Sequence, residues 1–67
     1  MIKTTRFKLS EEIIEEEDLQ YLEYTATQNE NDKTLVTWMD SGKFHKAEYE
    51  NVDVEIYFER KDWIEII

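Results

Sequence analysis

The chain has no cysteine and no proline, and only one glycine and one histidine among its 67 residues. Without cysteine, neither a disulfide nor a thiolate metal site can stabilise the fold. Zinc sites usually need three or four His and Cys ligands, so His45 alone does not predict one, and we expect neither a metal nor a cofactor. A chain of this length has room for one modest core, worth about 3–5 kcal/mol. Stability must therefore come from good packing or from self-association.

Long apolar runs are also missing from the sequence. No stretch approaches the roughly 18 apolar residues that indicate a membrane span. The first ten residues carry Lys3, Arg6 and Lys8, but no apolar segment follows them, so they do not resemble a secretory signal. These features favour a cytoplasmic protein that does not associate with membranes.

What the chain has in abundance is negative charge. Six carboxylates, those of Glu11, Glu12, Glu15, Glu16, Glu17 and Asp18, fall within eight residues. From Ser10 to Asp32 there are nine acids and no Lys or Arg; the other eight acids are balanced by eight bases, so these 23 residues carry the whole net charge of −9. Such a field favours cationic partners and repels nucleic acid and anionic membranes.

Apolar and polar residues alternate in several segments, which is typical of β-strands. The segments are Thr4–Leu9, Leu19–Thr27, Thr34–Met39 and Lys43–Tyr49. A polar cluster at 28–33 separates the second from the third, and Asp40-Ser41-Gly42 places the only glycine where a tight turn needs positive φ. The last three segments, joined by short loops, predict an antiparallel meander.

A short helix is predicted within the acidic segment, over Glu11–Glu17. Ser10 is a suitable N-cap, and acids in the first turn suit the positive end of the helix dipole. Glu11–Glu15 and Glu12–Glu16 are like-charge pairs that oppose the helix by about 0.2–0.5 kcal/mol each. We therefore expect segment 10–18 to be a short helix held by Ile13 and Ile14, or to be mobile.

The segment Val52–Lys61 carries signals of both kinds of structure. Its apolar residues alternate as in a strand, but Asn51 is a good N-cap, and acidic and basic residues stand where a helix start and end prefer them. We favour a helix, followed by a terminal strand at Trp63–Ile67. The predicted fold is α+β, a single domain over residues 1–67 with a small antiparallel meander of three to four strands and one or two short helices. Nine aromatic residues argue against a disordered chain.

Catalysis is not predicted. His45 is not clearly within reach of Ser10 or Ser41, and a domain of this size has little volume for a substrate pocket. The acids show no EF-hand spacing. His45 is instead expected to be a surface or half-buried strand residue.

A noncatalytic binding protein is the leading hypothesis. The predicted partner is a basic protein surface, such as that of a nucleic-acid-processing enzyme, which carboxylates would occlude by standing in for phosphates. In size, charge and lack of cysteine the chain resembles small acidic inhibitors, including phage-encoded DNA mimics, although it shares no motif with them. The predicted contact residues are Glu11, Glu12, Glu15, Glu16, Glu17, Asp18, Glu55, Tyr57 and Glu59.

The alternative hypothesis is a small structural or accessory subunit that forms a homodimer. In that case Trp63–Ile67 pairs across the dimer and the acids only keep the protein in solution.

Overall fold

The computed structural model describes residues 3–67, which form one five-stranded sheet with two helices. The strands are β1 (Thr4–Leu9), β2 (Tyr24–Gln28), β3 (Lys33–Asp40), β4 (Lys43–Glu50) and β5 (Trp63–Glu65), and the helices are α1 (Glu11–Glu16) and α2 (Asn51–Glu59). The α+β prediction is confirmed, but the sheet has five strands where three to four were expected. No helix in residues 3–67 is long and apolar enough to cross a membrane.

The spatial order of the strands is β4-β3-β2-β1-β5, and every neighbouring pair is antiparallel. The first four strands are thus a meander, and β5 adds to the free side of β1. Consequently β4 and β5 run in the same direction at opposite edges of the sheet. The helix α2 makes this crossover along one face, packing against β3, β4 and β5.

The core lies between this face of the sheet and α2. Phe7, Ala26, Val36, Val54 and Trp63 are its buried apolar residues. They come from four strands and from α2, because alternate residues of each strand point to the same face. Neither helix of residues 3–67 makes extensive contacts with the opposite face, and we call it the open face.

The two-residue loop between β3 and β4 confirms the predicted tight turn. Asp40 pairs with Lys43, and between them Ser41 and Gly42 both have positive φ, 53° and 77°. Type I′ turns require positive φ at both central residues, and their twist matches that of the strands.

The second strand is shorter than predicted, beginning at Tyr24 and not at Leu19. Both neighbours of β2 end their pairing at this residue, since Phe7 of β1 and Trp38 of β3 lie opposite Tyr24. On its other side β1 goes on to pair with β5 through Lys8 and Leu9 before the chain turns into α1. Residues 19–23 therefore lie outside both ladders of β2.

The helix α2 forms despite the alternation in its sequence. Val54 is buried and Tyr57 and Phe58 are half-buried, an i, i+3, i+4 set that faces the core, while Val52 and Ile56 are exposed. Asn51 was predicted to be the N-cap, but that position belongs to Glu50, which makes no capping hydrogen bond. The Asn51 side chain instead accepts a 2.6 Å hydrogen bond from Thr34 Oγ1, and so ties the start of α2 to β3.

Candidate functional site

The six acids of Glu11–Asp18, which we call the acidic segment, all have exposed side chains. Four lie on α1, Glu17 is its C-cap, and Asp18 follows with φ of 52°. Within residues 3–67 the ion pairs are Arg6–Glu23, Lys33–Glu50 and Arg60–Asp62, so none involves the acidic segment. The segment therefore presents its full negative charge to solvent.

Few contacts hold α1 in place. The Ser10 hydroxyl accepts a 3.3 Å hydrogen bond from the Ile13 amide, as predicted for the N-cap. Ser10 N donates to Asp62 O at 2.9 Å, and Leu19 N donates to Ile14 O at 2.9 Å. Ile13 and Ile14 are half-buried, as expected. The helix is thus tethered at its start to the loop between α2 and β5, with its acids free on the outside.

The acids at the end of α1 do not serve the stability of the helix. Glu11 and Glu12 lie in the first turn, where negative charge is favourable, and the last turn has no basic residue. Glu15, Glu16 and Glu17 stand instead at the negative end of the helix dipole and repel the acids of the first turn. Local structure alone does not account for these three residues.

Two further predicted contact residues, Glu55 and Glu59, are exposed one turn apart on α2. The hydrogen bond from Ser10 to Asp62 places the start of α1 beside the chain three residues after Glu59. Glu59 therefore lies three residues along the chain from the point at which α1 is tethered, with Glu55 one turn further back on α2.

Tyr57, also assigned to the contact surface from sequence, has a half-buried ring in an aromatic cluster. Its centroid is 4.8 Å from that of Trp63 and 6.2 Å from that of Tyr49. The structure thus separates Tyr57 from the exposed carboxylates on either side of it along α2. In this position the Tyr57 ring packs against the rings of Trp63 and Tyr49.

The open face was not identified from the sequence. It exposes Phe44 by 66% and Met39 by 54%, and these two line a shallow depression of about 350 Å³ with Thr25 and Thr37. The signal was available in β3, where Leu35, Thr37 and Met39 alternate with the core residues Val36 and Trp38. A strand with apolar residues on both faces predicts exposed apolar side chains on whichever face is left uncovered.

A groove of about 560 Å³ lies between α2 and the β1–β5 side of the sheet. The expectation that so short a chain lacks the volume for a pocket was therefore wrong, because α2 covers only part of the sheet's core face. Ala26, Val54, Phe58 and Trp63 supply apolar surface, with Lys61 and Glu65 also at the groove. Within residues 3–67 every buried side-chain polar atom has a hydrogen-bond partner, so no orphaned group points to a missing ligand.

His45 is half-buried on β4, as expected, and its ring stacks on Trp38 with centroids 5.5 Å apart. Among the described residues, no three His, Cys, Asp or Glu side chains are grouped so that they could hold a metal ion. Comparison of the chain with protein-family models, curated proteins and solved structures gave no match.

Proposed function

We propose that this is a noncatalytic cytoplasmic binding protein whose acidic segment docks on a basic nucleic-acid-binding surface and blocks it. The observation that carries the proposal is the set of six exposed carboxylates on and beside α1, none of which has an ion-pair partner within residues 3–67. Glu59 and Glu55 extend the same surface along α2. The partner class is a nucleic-acid-processing enzyme with a Lys- and Arg-lined groove.

The charge density of the acidic segment approaches that of a duplex. At about 1.5 Å per residue, the six residues of α1 span about 9 Å and carry four carboxylates. A duplex carries one charge per about 1.7 Å of axis, or about five over the same length. A groove that neutralises phosphates would thus meet a comparable number of acceptors in a comparable length.

Occlusion is the proposed mechanism. The carboxylates accept hydrogen bonds from the partner's Lys and Arg side chains, and the bound protein excludes nucleic acid from the groove. The negative field speeds encounter with a basic surface, so affinity should be strongest at low salt. No chemical step is involved.

The unfavourable placement of Glu15, Glu16 and Glu17 supports this function over solubility alone. Exposed acids anywhere on the surface would give the same net charge. These three sit where the dipole and their neighbours oppose them, which is common for residues placed for binding.

The test is displacement of a fluorescent DNA duplex from purified basic-groove proteins. The binding variant carries Glu→Gln at 15, 16 and 17. The matched control carries Glu→Gln at 30 and 65 and Asp→Asn at 32, three exposed acids outside the acidic segment that make no ion pair within residues 3–67. Both variants lose three negative charges, so only the position differs.

We expect the parent and the control to displace the duplex and the binding variant to do so weakly, with a reduced association rate and a flatter salt dependence. Equal loss of duplex displacement in both variants would mean that binding depends on the net charge and not on the position of the carboxylates. No displacement by the parent protein, across proteins with basic grooves, would reject the proposal.

A further inference from the structure

The two edges of the sheet are very different in length. β4 and β5 are the edge strands, with eight residues in β4 and three in β5. An edge strand offers unpaired N–H and C=O groups to another strand, and proteins commonly limit this by keeping edge strands short, by placing proline in them or by lining them with charged side chains, especially lysine. β4 is among the longest strands and the chain lacks proline, so its protection is charge alone, and its two Lys and two Glu are of opposite sign.

The register of the β3–β4 hairpin shows which groups of β4 are free. Asp40 and Lys43 flank the two-residue turn, so they form the hydrogen-bonded pair that closes it. Hydrogen-bonded pairs alternate along an antiparallel ladder, so every second residue from Lys43 onwards bonds to β3. The residues between them direct their N–H and C=O groups outward, and these are Phe44, Lys46, Glu48 and Glu50.

We propose that β4 pairs antiparallel with β4 of a second copy of this chain, in a register centred on Ala47. Two-fold symmetry about Ala47 places Lys46 of each copy opposite Glu48 of the other. Both residues belong to the outward-bonding set and lie on the same face, so backbone hydrogen bonds and charge pairs form together. Neither Lys46 nor Glu48 makes an ion pair within residues 3–67.

Neighbouring registers are disfavoured by the same residues. Centring the pair on Lys46 places two ammonium groups opposite each other. Centring it on Glu48 places two carboxylates opposite each other, and the Lys46–Glu50 pairs of that register compete with the Lys33–Glu50 ion pair within each copy. Like charges directly opposite each other destabilise a strand pair. Charge complementarity thus favours the register centred on Ala47 over these two.

The net charge of the chain does not oppose this contact. β4 itself carries two Lys and two Glu, so it is neutral with His45 uncharged. The acidic segment is tethered through Ser10 to Asp62, beside β5 at the other edge of the sheet. The second copy therefore approaches the edge far from the excess charge. This inference does not rest on the proposed function.

Charge reversal tests the register. In Lys46→Glu both positions become acidic, and in Glu48→Lys both become basic, so each variant alone meets two like-charge pairs. An equimolar mixture of the two restores opposite charges in a heterodimer, as does the double variant Lys46→Glu/Glu48→Lys in a homodimer. Lys3→Glu and Glu30→Lys, at exposed sites off β4, are the matched charge controls.

Sedimentation equilibrium is the measurement, with circular dichroism to verify the fold. We expect dimers for the parent, both controls, the double variant and the mixture, and a dissociation constant at least about tenfold higher for each single reversal. A parent that stays monomeric at millimolar concentration, or single reversals that dimerise as the parent does, would overturn the proposal.

A cysteine at the centre of the pair gives a second readout. In the proposed register Ala47 faces its own copy as a non-hydrogen-bonded pair, with Cα atoms about 4.5 Å apart, within the range that a disulfide spans. Ala47→Cys should form a covalent dimer on mild oxidation, and Ser41→Cys in the exposed turn should form it far more slowly. Equal rates for the two variants would reject the register even if the protein dimerises.

Discussion

The indole of Trp63 stacks on the ring of Phe7, with centroids 4.2 Å apart and planes 13° apart. Phe7 also stacks on Tyr24 at 5.2 Å, so its ring lies between aromatic rings from the strands on either side. Phe7 is 1% exposed. This stack joins β5 to the meander and makes Trp63 the residue through which the end of the chain stabilises the sheet.

Replacing Trp63 by alanine should unfold the protein. Removing a buried Trp costs about 3–5 kcal/mol, which equals the whole stability of about 3–5 kcal/mol that a core of this size provides. Ile67, which is fully exposed, is the control, and Ile67→Ala should change stability by less than about 0.5 kcal/mol. Thermal unfolding followed by circular dichroism distinguishes them. A Trp63→Ala variant that melts near the parent temperature would contradict the assignment.

The side chains of Thr34 and Asn51 should be energetically coupled through the hydrogen bond between them. Thr34 is fully buried, so Asn51→Ala leaves its hydroxyl without its acceptor, at a cost of about 1–3 kcal/mol. Thr34→Val removes the hydroxyl with little change in shape. In urea unfolding, the double variant should lose less than the two single variants together. Strict additivity would show that the pair does not couple.

The β3–β4 turn can be improved at one position and harmed at the next. Ser41→Asn should raise stability by about 0.5–1 kcal/mol, because asparagine tolerates positive φ and Asn-Gly is the preferred type I′ pair. Gly42→Ala should lower it by about 1–2 kcal/mol. A Cβ at Gly42 meets no atom within 4 Å, so that loss is due to the backbone alone. Relative to the parent protein, the denaturant midpoint should rise for Ser41→Asn and fall for Gly42→Ala.

Tyr24 should contribute to loss of stability in alkali. Burial, followed by the charges of Asp40 and Tyr49, raises the pKa of Tyr24 above its ordinary 10.0. The unfolded chain then ionises first, so the contribution is complete below pH 10 and is lost as the pH rises above it. Tyr24→Phe should flatten the decrease of stability with rising pH above 10. If the parent and Tyr24→Phe lost stability equally above pH 10, the raised pKa of Tyr24 would be contradicted.

Neutralising the end of the acidic segment should not weaken the fold. Glu→Gln at 15, 16 and 17 relieves like-charge repulsion and the unfavourable interaction with the helix dipole, at exposed positions without ion pairs. The urea midpoint should stay the same or rise slightly. A clear drop would mean that these carboxylates make stabilising contacts, and would remove the argument that they are placed for binding.

Local chemistry explains which elements were predictable. The β3–β4 hairpin depends on Ser41-Gly42 and on flanking alternation, and the α1 cap on Ser10; all of these signals lie within a few residues. The helix α2 was harder, because Val52, Val54 and Ile56 alternate as in a strand. Its tertiary contacts decide the outcome, since Val54 and Phe58 meet the core one turn apart.

Pairings between distant segments could not be predicted. Nothing near Phe7 in the sequence indicates that Trp63 stacks on it, or that β5 pairs with the side of β1 opposite β2. The exposure of the acidic segment followed directly from its charge. Tyr57 was predicted as a contact residue because it stands beside acids, and the packing of its ring near Trp63 could not be predicted from its neighbours in the sequence.

The interior position of β1 also governs the order in which the sheet can assemble. β3 and β4 are neighbours in sequence and close through a two-residue turn, so their pairing costs little loop entropy. β1 has a paired strand on both sides only after β5, at the other end of the described chain, has paired with it, since Phe7 lies opposite Glu65. Such distant contacts slow folding. The hairpin is therefore suited to nucleate the fold, and the aromatic stack to close it last.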